Sequence, residues 1–82
     1  MNSAQCRAAR GLVDMSQAGL AEAAQVGLST VRNFEAGRSE PMAANMKAIR
    51  NALEAAGVEF IPENGGGAGV RLAKRRSDQG ED

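Results

Sequence analysis

The chain has 82 residues, ten Lys and Arg balanced by ten Asp and Glu, one cysteine and no histidine. That length supports one small domain with a single core, and the zero net charge rules out a polycation held to its partner by bulk charge. The missing histidine and the lone cysteine remove histidine acid–base chemistry, cysteine–histidine nucleophiles and the usual zinc ligand sets.

In chain order, Ser3 is placed to cap a first helix ending near Gly11 or Val13, with Cys6, Ala9, Leu12 and Val13 turned inward. Cys6 reads as a small buried apolar residue, since a redox sensor needs exposure and a stabilised thiolate. It has no partner for an internal disulfide, and no secretory or membrane-spanning segment is legible. A reducing cytoplasm is the expected compartment. After the link Asp14-Met15, Ser16 is a good N-cap for a second helix through about Ala24, with Leu20 and Ala21 inward. Gly19 inside that helix is a mild defect, costing about 1 kcal/mol relative to alanine.

Gln25-Val26-Gly27 is a tight turn. The next segment, LSTVRNFEAG from Leu28, forms a third helix that Gly37 ends. Val31 and Phe34 share one face at i, i+3, while Ser29, Arg32 and Asn33 point elsewhere. Pro41 holds Glu40 out of the helical region, so Arg38 to Pro41 is a loop. Met42, Met46, Ile49, Leu53 and Ala56 then recur with helical period up to Gly57, with Met42 or Asn45 near the start.

Beyond Gly57 the pattern changes. Val58-Glu59-Phe60-Ile61 and Val70-Arg71-Leu72 flank a glycine-rich turn and read as a β-hairpin. Within that turn, Gly65-Gly66-Gly67 lacks the lysine and the following helix of a phosphate loop, so no enzyme and no cofactor is expected. From Lys74 the chain reads as a disordered charged tail, whose basic residues Lys74, Arg75 and Arg76 could add nonspecific attraction to phosphate. The expected organisation is a helical domain over 1–57, a hairpin over 58–73 and a tail over 74–82.

Charge is segregated along the chain. Residues 1–38 carry Arg7, Arg10, Arg32 and Arg38 against Asp14, Glu22 and Glu35. Residues 40–63 are net acidic, with Glu40, Glu54, Glu59 and Glu63 against Lys47 and Arg50. A basic run from Arg71 to Arg76 precedes the closing Glu81-Asp82.

From Ser16 to Pro41 the chain resembles the helix-turn-helix of the phage Cro and repressor family of DNA-binding proteins. Ser16-Gln17, Leu20-Ala21-Glu22, Val26, Thr30-Val31, Glu35-Ala36-Gly37-Arg38 and Pro41 fall where that family places its equivalents, and the likeness covers roughly residues 5–57. It implies a mostly α fold: a four-helix, phage-repressor-like DNA-binding domain, here followed by a hairpin and tail. One position departs from the pattern. Gln25 stands where the family has a glycine in a left-handed turn, with Gly27 expected to take up part of that turn.

The resemblance also implies roles. The third helix enters the major groove of double-stranded DNA, so Leu28, Ser29, Arg32 and Asn33 would meet base edges. Gln17, Thr30 and Arg38 would meet phosphates. Arg10 and Glu35 would form a partly buried ion pair that docks the first helix on the third. The function implied is a sequence-specific regulator of bacterial or phage type, acting as a homodimeric repressor on an inverted repeat. Val58, Phe60, Ile61, Val70 and Leu72 offer apolar surface for dimerisation. The alternative is a protein-interaction module, an antitoxin or anti-activator, in which DNA binding is secondary or lost. Binding to the DNA upstream of its own reading frame separates the two.

Overall fold

The computed structural model describes residues 1–73. The expected tail over 74–82 lies outside the described residues. The elements run α1 (Ser3–Leu12), α2 (Gln17–Ala24), α3 (Leu28–Glu35), α4 (Ala43–Ala55), β1 (Val58–Ile61) and β2 (Gly69–Leu72).

The first two helix starts have local causes. At α1 the cap is Asn2, one residue before the expected Ser3. Its side chain accepts from the Gln5 backbone N–H while Gln5 Oε1 accepts from the Asn2 N–H, both at 2.8 Å. This reciprocal box requires the pair three residues apart, which Asn2 and Gln5 supply. At α2 Ser16 caps as expected, its Oγ accepting from the Gly19 N–H at 2.9 Å. A Cβ on Gly19 would lie 3.2 Å from that same oxygen. The glycine therefore protects the cap, and is less of a defect than helix propensity alone suggests.

The first three helices end alike. Met15 N donates to Arg10 O, Val26 N to Ala21 O and Arg38 N to Asn33 O, six-residue closures around Asp14, Gln25 and Gly37. Those three residues have φ of 55°, 58° and 76°, as the Schellman closure demands. Gln25 itself is left-handed. Gly27, expected to share the turn, instead has φ −68° as the N-cap of α3. An exposed glutamine in that region carries a strain of about 1 kcal/mol that glycine would not. Gln25→Gly should raise the melting temperature by roughly 4–8 °C. A fall on thermal denaturation would show that the glutamine stabilises the turn in some other way.

The core draws on every element before the turn of the hairpin. Cys6, Ala9, Leu20, Ala21, Val31, Phe34, Ile49, Leu53 and Val58 are buried, and Met46 and Phe60 pack against them. Two expected inner faces are shifted. Leu12 is 40% exposed and Met42 73% exposed, and Ala56 also faces solvent. Met42 is the cap residue of α4, ahead of its first turn, so its side chain projects clear of the core.

β1 and β2 pair antiparallel, Val58 with Leu72 and Phe60 with Val70. The hairpin lies against α1 and α4. Gln5, 8% exposed, donates its amide to Gly69 O at 3.0 Å and to Ile61 O at 3.5 Å. Such a hairpin needs support from other elements to be stable. Here it obtains that support from the helices. No helix of the described residues is long and apolar enough to cross a membrane.

Candidate nucleic-acid interface

The α3 helix divides cleanly between core and solvent. Val31, Phe34 and Glu35 are buried, with Val31 fully so. Ser29 and Arg32 are exposed, and Thr30 and Asn33 are half-buried. Leu28 is half-buried and packs against the core cluster, so only part of its side chain is free. The outer face of α3 thus offers a hydroxyl, a guanidinium and a carboxamide, the donor and acceptor types that read base edges. Arg38 is exposed in the loop that follows, its backbone fixed by the closure onto Asn33 O at 2.8 Å.

The side chain that ties α3 to the other helices is Glu35, a carboxylate only 3% exposed. Arg10 grips it with two bonds of 2.7 Å, from Nε to Oε2 and from Nη2 to Oε1. Gln17 Nε2 donates to Oε1 at 2.9 Å and Cys6 Sγ to Oε2 at 3.1 Å. Arg10 also donates to Met15 O at 2.9 Å. One side chain of α3 is therefore tied to two residues of α1 and to the first residue of α2. Burial alone would push the Glu35 carboxyl up. The hydrogen bonds from Arg10, Gln17 and Cys6, with the Arg10 charge, outweigh it and hold its pKa below the usual carboxylate value. Burial first, then the bond to Glu35, push the Cys6 thiol up to about 12. A thiol so protonated is a hydrogen-bond donor and a poor nucleophile.

Gln17, expected at a phosphate, stands at the start of α2 with one amide hydrogen given to Glu35. It is half-buried there, beside the N-terminus of α2, where Ser16 Oγ already takes the Gly19 N–H. Sequence reasoning missed Arg7, whose Nη1 donates to Glu35 O at the end of α3. The available signal was its position one turn before Arg10 on the same helix. It also missed Gln5, whose partners lie more than fifty residues away. Of the residues expected at a dimer contact, Val58 is 2% exposed and belongs to the core of the monomer. Phe60 is half-buried beneath Arg50, whose guanidinium carbon is 5.3 Å from the ring centroid. Ile61 and Val70 are half-buried, and Leu72 is 57% exposed.

A family model described as Helix-turn-helix matches residues 7–60, well over half of the chain. The chain belongs to the helix-turn-helix family of Cro and repressor type. This helix-turn-helix protein is accordingly a DNA-binding regulator, with α2 and α3 as its motif. The matched span includes Arg10, Glu35 and both motif helices, and extends through Phe60 of the first strand. A search of curated proteins finds no match.

Proposed function

We propose that the protein is a sequence-specific repressor that binds an inverted repeat as a homodimer, reading bases through the outer face of α3. The observation that carries this is the division of α3. Ser29 and Arg32 are exposed and Asn33 is half-buried beside them, while a buried, multiply bonded Glu35 ties the helix from behind. Preorganised donors on a rigid helix suit base readout, because little ordering entropy remains to be lost on binding.

In this reading Arg32 donates to guanine, Asn33 brackets adenine, Ser29 bonds either and the free part of Leu28 meets a thymine methyl. Gln17, Thr30 and Arg38 meet phosphates on either side. A single helix reads too few base pairs for useful specificity, so two copies related by a twofold axis are needed, about 34 Å apart along the DNA.

The direct test is a footprint and gel shift on the DNA upstream of the protein's own reading frame. Arg32→Ala and Asn33→Ala should each weaken specific binding by about 1–3 kcal/mol and relax preference at one base pair. Arg38→Ala should weaken specific and nonspecific binding together, lowering the slope of log affinity against log salt by about one. A folded protein with no such shift would favour the protein-interaction reading. Unchanged specificity in both α3 variants would remove those residues from the readout.

A further inference from the structure

We infer that Arg7 is a positioning residue for base reading: it holds the main chain of the last turn of α3, and specific DNA binding depends on it. This rests on the reading of α3 as the base-contacting helix and adds to it a residue outside the motif.

A helix ends with four carbonyls that its own turns cannot bond. In α3 the chain that follows meets three of them. Arg32 O accepts from Ala36 N and Phe34 O from Gly37 N, both at 3.0 Å, and Asn33 O accepts from Arg38 N at 2.8 Å. The last, Glu35 O, is met from another helix, by Arg7 Nη1 of α1. A guanidinium placed there also faces the negative end of the helix dipole. Arg7 is exposed, and no ion pair among the described residues includes it. Its partner is a main-chain carbonyl, so what it holds is the backbone of α3.

Glu35 is thereby held at two points, with different consequences. Arg10 grips the carboxylate, at the far end of a flexible side chain. Rotation within that side chain lets the main chain of α3 pivot while the carboxylate stays bound. Arg7 grips the main chain itself and removes that freedom. The turn it closes, 32–35, carries Arg32 and Asn33, two of the proposed base readers, and Asn33 O in turn anchors the backbone of Arg38. Bonds to base edges are short and directional, so a small tilt of this turn weakens them. Attraction to phosphate in general tolerates such a tilt.

Gel shifts across a salt series and amide hydrogen exchange of the full chain test this. Arg7→Met removes the donor from an exposed site and should keep the wild-type helical circular dichroism. It should lower affinity for the footprinted upstream DNA about tenfold, leaving affinity for unrelated DNA and the salt slope unchanged. In the free protein the amides of Ala36, Gly37 and Arg38 should exchange about tenfold faster, with those of Ile49 and Leu53 unchanged. Arg7→Lys should restore both properties, because this bond uses one donor and a charge, which an ammonium supplies. Unchanged exchange, or unchanged discrimination between the two DNAs, overturns the proposal. So does a salt slope lowered by about one, which would make Arg7 a phosphate contact instead. A wild type with no specific site defeats the repressor reading and this role with it. A specific wild type matched by Arg7→Met defeats this role alone.

Discussion

Arg10→Met is expected to destabilise the protein by about 3 kcal/mol, because it leaves the buried Glu35 carboxylate without its cation. In a domain of this size that corresponds to a fall in melting temperature of more than about 10 °C. Gln17 and Cys6 would still donate to the carboxylate, at 2.9 and 3.1 Å, but neither carries charge. The double variant Arg10→Met with Glu35→Gln removes the orphaned charge and should recover part of the loss. The wild type should also be acid-sensitive, and the sign follows from the lowered pKa. The unfolded chain takes up a proton on Glu35 near 4.5, the folded chain only at lower pH. The stabilisation is therefore complete above that range and is lost as pH falls through the folded value. Glu35→Gln should flatten this part of the profile. Chemical denaturation from pH 7 to 3 measures both effects. A single Arg10→Met variant within about 1 kcal/mol of the wild type would show that the pair adds little net stability.

Ending the chain after Gly57 should cost about 3–5 kcal/mol, comparable with the whole stability of a small domain. The loss has three parts on the structure. Val58, 2% exposed, leaves the core. The half-buried Phe60 and Val70 uncover the cluster they pack against. The Gln5 amide loses the carbonyls of Ile61 and Gly69, its two partners across the hairpin. Lost burial and lost hydrogen bonding act together here, so the truncated chain should be only marginally folded at 37 °C. Its urea midpoint and helical circular dichroism are the measurements. A truncated chain as stable as the wild type would make the hairpin an appendage of an independent helical domain. The boundary expected at Gly57 marks a change of secondary structure, while the core runs on through Val58.

Wherever a few neighbouring residues decide the outcome, the sequence was sufficient. The Ser16 cap, the glycine at the end of α3, the helical period around Ile49 and Leu53 and the two apolar segments of the hairpin all act within one or two turns of chain. The left-handed turn at Gln25 was legible in the same way, from the place it occupies in the motif. Even the Asn2–Gln5 box was local, and the expectation of Ser3 overlooked a signal already present in the chain.

What the sequence left open is which side of each element another element would cover. Leu12 and Met42 are apolar like Leu53, yet only Leu53 is buried, since the other elements leave 40% of Leu12 and 73% of Met42 exposed. Gln5 is polar and buried because a hairpin more than fifty residues later brings it two carbonyls. Gln17 points one amide hydrogen at Glu35 because α1 and α3 enclose that carboxylate beside it. Val58, read from its strand as interface, is core because α4 delivers it beneath the helices. Burial and hydrogen-bond partnership are properties of pairs of distant segments, fixed when the chain closes on itself. Local preference shapes each element, and the three-dimensional packing decides what each face of it meets.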